Sequence, residues 1–315
     1  MHSHDGVKSY MIYHTTTYLL FAFMSKFQAI IDTIHQETGH LLQSFNVTPV
    51  SGGSINEAYC FSDKQHAFFV KTNQADRIDM FAAEAAGLKA LAAISGMRIP
   101  AVIGFDSSPQ YSYLVLEYLP CEPLTSKTSS ALGEQLAHIH HQSMPFFGWH
   151  RDNTIGSTAQ YNPQHTDWVT FWITARLQPQ LHMAKAQGYD GEIQTLGQTV
   201  ITCLPTFFSS QPTPALLHGD LWYGNVACYQ QQPLLFDPAC YYGDSEADIA
   251  MTELFGGFDR QFYQAYHALL PPSAEYSTRK IIYNLYHVLN HLNLFGGHYE
   301  GQAINMMKLL IAQQK

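Results

Sequence analysis

Charge is scarce in this chain. Asp, Glu, Lys and Arg make up 13% of the 315 residues, and 16 Lys and Arg face 25 Asp and Glu, a formal net charge of −9. A broad nucleic-acid or anionic-membrane surface needs a basic face, so this balance speaks against both. It does not speak against a nucleotide, for which a few local cations and a divalent ion suffice. Cysteine is sparse too: Cys60, Cys121, Cys203, Cys228 and Cys240 form no CxxC pair. Neither a disulfide framework nor a cysteine zinc site is expected, and the pattern fits a reducing cytoplasm. Long apolar runs are missing. The stretch from Tyr18 to Phe23 is too short to span a bilayer and has no clear small-residue cleavage site after it, which argues against a transmembrane helix and a signal peptide. Internal repeats and low-complexity tracts are also missing.

Histidine is plentiful, at 17 residues, and His138, His140 and His141 cluster in a helix-like stretch. No HExxH pattern accompanies them, so structural or surface roles are expected, as for His2 and His4 in the terminal segment. Apolar residues at 46% and aromatics at 13% supply ample core, and the length accommodates two lobes. A helix-like pattern begins after Met24, so residues 1–23 are expected to be an extension outside the catalytic fold.

The densest chemistry lies between His218 and Ala239. Asp220 is followed five residues later by Asn225, and Asp237 comes twelve further on after a strand-turn-strand pattern. That order places a general base and two metal-facing oxygens around a transferring phosphoryl group. Asp220 would accept the proton of the attacking hydroxyl. Asn225 and Asp237 would give hard oxygen ligands to Mg²⁺, the ion that accompanies ATP. The residue before Asp220 is Gly219, where protein kinases controlled by activation-loop phosphorylation place Arg. The pattern therefore points to a small-molecule kinase.

Three long motifs sharpen this: HGDLWYGN at 218–225, DPACYYGDSEADIAMTELFGGF at 237–258 and FGWHRDNTIGSTAQYN at 147–162. They resemble the fructosamine/ketosamine-3-kinase family, within the wider group of aminoglycoside-phosphotransferase-like kinases, and the similarity runs from about Phe45 to the C-terminus. The resemblance implies an α+β protein-kinase-like fold, with an N-lobe at 24–118 built on a small antiparallel sheet and a mainly helical C-lobe at 119–315. It implies phosphorylation of the 3-hydroxyl of ketosamines, free or protein-bound, with ATP and Mg²⁺, and thus deglycation repair. A kinase for an aminoglycoside, choline or methylthioribose, or a nucleotide-binding regulator without catalysis, are the other readings. Intact Lys71, Glu84, Asp220, Asn225 and Asp237 argue against the last.

Upstream, Phe45–Val50 and Glu57–Phe61 read as strands flanking a turn at Ser51, Gly52, Gly53 and Ser54. Its backbone amides can approach phosphates closely, although a plain hairpin turn explains the glycines equally well. Phe68–Lys71 reads as a third strand, with Glu84 thirteen residues later in an Ala-rich helical stretch from Asp79 to Ser95. Lys71 would contact the nucleotide phosphates and Glu84 would orient it. Tyr113–Leu119 reads as a buried strand running into a linker. By resemblance this is the hinge, with main-chain groups of Glu117, Tyr118 and Leu119 facing the adenine edge.

Beyond the hinge, 125–142, 166–187 (interrupted at Pro179) and 191–208 carry helical spacing, and 148–163 reads as a long loop. By resemblance this loop and the helices after it form the substrate-facing part, and Trp168, Phe171, Trp172 and Arg176 fall in the following helix, where aromatics at these intervals are expected in the core rather than on substrate. Trp222, inside the catalytic loop, is expected to pack on a sugar or its amine substituent. His218 and Asp248 are expected to support the loop, Asp248 by resemblance. Ser245 stands where the family often has Arg. Helices are expected at 276–294 and 304–312.

Overall fold

The structure is a computed structural model that describes residues 26–51, 55–94 and 96–314. The expected extension at 1–23 and the Gly52, Gly53 and Ser54 turn lie outside the described residues. The chain packs as two compact units. One comprises the described residues up to Ile78 together with Val102–Tyr118, and the other comprises Asp79–Ala101 and Leu119–Lys315. No helix among the described residues is long and apolar enough to cross a membrane.

The first unit is a five-stranded antiparallel sheet with one helix. Its strands are β1 (Asn46–Pro49), β2 (Glu57–Ser62), β3 (Ala67–Asn73), β4 (Val102–Ser107) and β5 (Ser112–Glu117), in spatial order β1-β2-β3-β5-β4. Helix α1 (Gln28–Thr38) packs on β4 and β5. Ile30, Ile31 and Ile34 share its inner face and are buried. At about 2 kcal/mol each, their burial outweighs the intrinsic propensity of so short a helix. Gly39 ends it in the left-handed conformation, φ 72°. The strand core is aromatic: Phe61, Phe68 and Tyr113 lie against Phe27 and Val70. The sequence pattern gives no sign of β4, whose polar tip at Asp106 and Ser107 hides the strand. Lys71 lies inside β3 rather than at its end, opposite Ala58 on one side and Leu114 on the other.

The second unit is mainly helical. Helix α2 (Ile78–Ile94) falls almost wholly within Asp79–Ala101, which groups with this unit. A physical reason lies at its C-terminal end, where Arg98 N donates to Pro233 O and Leu235 N donates to Arg98 O. Helix α3 (Ser126–His140) starts on a Thr125–Thr128 capping box. The expected loop at 148–163 holds a hairpin, β6 (Asn153–Ile155) and β7 (Thr158–Gln160).

Pro179 does not interrupt its helix. The chain runs from α4 (Trp168–Trp172) through a π-helical turn (Ile173–Leu177) into α5 (Gln178–Ala186). In an α-helix the Ala175 carbonyl would accept from residue 179, which as proline has no N–H. Arg176 Nη1 donates to that carbonyl instead, at 3.0 Å.

Helix α6 (Glu192–Cys203) follows, then strands β8 (Ala215–Leu217), β9 (Val226–Tyr229), β10 (Gln232–Leu235) and β11 (Tyr241–Gly243), paired β8 with β11 and β9 with β10. Helices α7 (Glu246–Leu254), α8 (Arg260–Leu269), α9 (Tyr276–Phe295) and α10 (Tyr299–Ala312) close the chain, α10 starting five residues before the expected position. Helix α9 is buried around most of its circumference from Ile282 to Leu292, which makes it the central post of this unit.

Candidate active site

Two short strand pairs in the second unit present two loops to each other. The loop 218–225 leaves β8 and enters β9, and the turn 236–240 leaves β10 and enters β11. Backbone bonds tie them: Phe236 N donates to Asn225 O at 3.2 Å and Ala239 N to His218 O at 2.8 Å. The approach is close enough to dictate residue type. Gly219 has φ +81°, and a Cβ there would sit 2.1 Å from Ala239 O. The glycine that replaces the kinase arginine is thus a steric requirement of this packing.

Asp248 holds the loop from below. Its Oδ2 accepts from His218 N at 2.7 Å and its Oδ1 from Gly219 N at 2.9 Å. His140 Nε2 bonds the same carboxylate at 3.2 Å, and its Nδ1 meets the Tyr266 hydroxyl. Burial would raise the Asp248 carboxyl, but the His140 hydrogen bond and charge, with His218 and the Gly219 N–H, hold it below the usual range. His140 is therefore structural, whereas His138 and His141 are exposed. His218 is pushed down, chiefly by burial. Its Nε2 faces Phe236 O and its Nδ1 accepts from Asp220 N, which fixes a neutral tautomer with the proton on Nε2.

Asn225 contacts Asp220 directly, and Asp237 follows Phe236, whose N–H bonds Asn225 O, near enough for its charge to act on Asp220. Asn225 Nδ2 donates to Asp220 O at 2.8 Å and to Asp220 Oδ2 at 3.1 Å. The amide nitrogen is thereby committed to Asp220, leaving the carbonyl oxygen as the ligand-capable end. Desolvation pushes the Asp220 carboxyl up to about 7, with the charges of Asp237 and Asp248 adding to the rise and the Asn225 bond opposing it. A base poised near neutrality is what proton abstraction requires. Asp237 sits at φ +57°, a left-handed conformation that costs a non-glycine residue about 1–2 kcal/mol and is concentrated at functional sites. An amide oxygen beside two carboxylates is a hard donor set that fits Mg²⁺.

Trp222 and Tyr223 stand in the same loop and are 39% and 50% exposed. Trp222 packs edge-on against Phe255 and Tyr223 against Phe258. The indole lies over Gly224, where a Cβ would be 2.2 Å from the ring. Both rings are thus held from one side and left open to solvent on the other. Trp168, Phe171 and Trp172 are fully buried, as expected of core aromatics, and Arg176 is buried with them.

The sequence reading missed the support behind Asp237. Asn153 Nδ2 donates to Cys240 O and Gln160 Nε2 to Ala239 O, so the β6–β7 hairpin fixes the 236–240 turn. The signal was the pair of amides in the motif at 147–162. Of the other predicted residues, Lys71 is buried in β3, and Glu84 lies half-buried on α2. Glu117 ends β5, Tyr118 follows half-buried, and Leu119 is buried at the start of the second unit. Ser245 precedes α7.

Among known proteins, the fructosamine kinase family pattern matches residues 26–313. A probable ketoamine kinase of Synechocystis is 46% identical over 283 residues, 89% of this chain and 95% of that protein. A chloroplastic protein-ribulosamine 3-kinase of Oryza sativa is 38% identical over 266 residues, 83% of this chain and 77% of that one. A crystal structure bearing the fructosamine-3-kinase name, from Haemophilus somnus, superposes with a TM-score of 0.81 at 28% identity, over 89% of this chain and 96% of that chain. The fold is accordingly α+β and protein-kinase-like.

Proposed function

This chain belongs to the fructosamine kinase family, and from that premise we propose that it transfers the γ-phosphoryl group of ATP to the 3-hydroxyl of a ketosamine. The observation that carries the reading is the Asp220 carboxylate, hydrogen-bonded to the Asn225 amide in a loop tied by backbone bonds to the turn that holds Asp237, and its buried setting, which raises the carboxyl to about 7, suits a base. Asp220 accepts the proton of the attacking hydroxyl, while the Asn225 amide keeps the carboxylate oriented toward it. Asn225 Oδ1 and the Asp237 carboxylate are the groups that would hold Mg²⁺, which when bound neutralises the phosphate oxygens. Trp222 offers its exposed face to the sugar or to the linkage with the amine. Lys71 is carried forward as the contact to the nucleotide phosphates, with Glu84, the 52–54 turn and the main chain of Glu117, Tyr118 and Leu119 as further nucleotide-site residues. A 3-phosphorylated sugar-amine adduct is labile, so the proposed role is deglycation of metabolites or proteins.

The test is a parallel assay of ketosamines, including a Lys-linked 1-amino-1-deoxyketose, against aminoglycosides, choline and methylthioribose, with NMR of the product. Turnover of the ketosamines with phosphate on carbon 3 is expected, and Trp222→Ala should lower kcat/KM for them while disturbing ATP affinity less. Turnover of another substrate class alone would overturn the acceptor assignment, and phosphate on another carbon would overturn the regiochemistry.

A further inference from the structure

A second polar cluster lies in the first unit, where the phosphotransfer reading gives it no task. Helix α1 ends at Gly39, and the next residue, His40, points its Nε2 at Asp63 Oδ2, 2.6 Å away. Asp63 opens the four-residue turn between β2 and β3. Its other oxygen, Oδ1, accepts from the backbone N–H groups of Gln65 and His66, both at 2.8 Å. One carboxylate oxygen is thus anchored by the turn and the other is held toward His40. His66 closes the turn through its carbonyl, which accepts from Asp63 N at 3.0 Å. Its ring stacks on Phe68 and reaches the His40 ring, with centroids 3.8 Å apart.

We propose that His40, Asp63 and His66 form a binding site for a divalent transition-metal ion of the zinc class. One ligand atom from each of the three lies within 4.8 Å of the other two. Three ligands at about 2.0–2.2 Å around a tetrahedral ion stand roughly 3.4 Å apart. The His40–Asp63 pair opens by less than an ångström to admit it, and the exposed His66 ring turns inward. The ion replaces the proton shared between His40 and Asp63, and water takes the fourth position. Two imidazoles and one carboxylate suit zinc, nickel or cobalt, and they are too soft a set for Mg²⁺. The anchored Asp63 oxygen and the Phe68 ring supply the outer support that orients ligating groups. The bound ion clips the end of α1 to the β2–β3 turn. This proposal does not depend on the acceptor substrate.

Equilibrium dialysis of the untagged full-length protein against Zn²⁺ tests it. One equivalent at micromolar free zinc is expected, with a rise in melting temperature of a few degrees. Co²⁺ in place of zinc should give the visible absorption of a four-coordinate nitrogen and oxygen site. Asp63→Asn, which keeps the size of the side chain and an acceptor for the two turn amides, should lose that equivalent together with the cobalt bands. The His40→Ala/His66→Ala double variant should do the same, while His138→Ala/His141→Ala should retain both. Zinc stoichiometry and cobalt spectra unchanged in Asp63→Asn and in the His40/His66 variant would overturn the proposal, as would no zinc bound by the wild type. Either result would leave the His40–Asp63 pair as an ordinary hydrogen bond.

Discussion

Asp220 owes its basicity to what surrounds it more than to what touches it. A hydrogen bond from Asn225 opposes the rise in its pKa, and desolvation with two nearby carboxylates overcomes it. The log of kcat/KM for the acceptor should therefore climb with pH at close to unit slope below about 7 and flatten above it. Asp220→Asn should lower kcat by roughly 10²–10⁴ and abolish that limb, with ATP binding largely kept. A full-rate variant, or an unchanged acid limb in it, would remove Asp220 from proton transfer. At this scale the sequence is most informative, because the proposed catalytic loop at 218–225 is one contiguous stretch. Gly219 illustrates the limit. Its identity could be read as a departure from the kinase pattern, but its cause, the Ala239 carbonyl 2.1 Å from where a Cβ would be, comes from a turn twenty residues away.

Among the elements, α2 to α6 and the main strands of both units could be placed from apolar spacing, caps and turn residues. The elements that the pattern does not show include the six-residue β4 and the ten-residue α8, but most are shorter. Strands β6, β7, β8 and β11 have three residues each, too few for any alternation to register. They nevertheless set the two loops of the active site. The helix through Pro179 shows a different failure, since a proline inside a helical pattern ordinarily ends the helix. Here the π turn and the Arg176 guanidinium together satisfy what proline cannot. Arg176 also donates to Tyr161 O at 2.6 Å and Asn162 Oδ1 at 2.7 Å, so it joins this helix to the end of the β6–β7 segment. Arg176→Lys keeps the charge and loses the fork, and should cost about 2–4 kcal/mol in urea unfolding. In a Pro179→Ala background, where an N–H is restored, the same substitution should cost about 1 kcal/mol less. Equal costs in the two backgrounds would show that the Ala175 carbonyl is not what Arg176 satisfies.

Over the whole molecule, buried titratable groups pull stability in opposite directions with pH. Burial, with the Glu246 charge adding to it, pushes the Asp244 carboxyl up to about 6 despite bonds from Tyr283 and Glu246 N and the charge of Arg279. Its folded form therefore holds a proton that the unfolded chain releases, and its contribution falls as pH rises from about 4 to 6. His287 is pushed down to about 3, chiefly by burial. The unfolded chain takes up a proton there that the folded form refuses, so its contribution rises over the window from about 3 to 6.5. The two slopes cancel over most of that range. Asp244→Asn removes one of them, and the variant should lose stability on acidification from pH 6 to 4 more steeply than the wild type, by up to about 1.4 kcal/mol per unit. Denaturant titrations at three pH values would measure this, and parallel curves for the two proteins would refute it. Arg176 enters this balance only through its charge, a minor contribution to the lowering of His287. Its guanidinium lies over the rings of Tyr241, Phe171 and Tyr286, at 4.1, 4.7 and 5.7 Å from their centroids, and burial raises both phenols, which keeps these rings neutral at ordinary pH. Dissolved ions cannot screen an attraction made of buried dipoles and quadrupoles. The junction that Arg176 makes should therefore not fade between dilute buffer and concentrated sodium chloride as an exposed ion pair would.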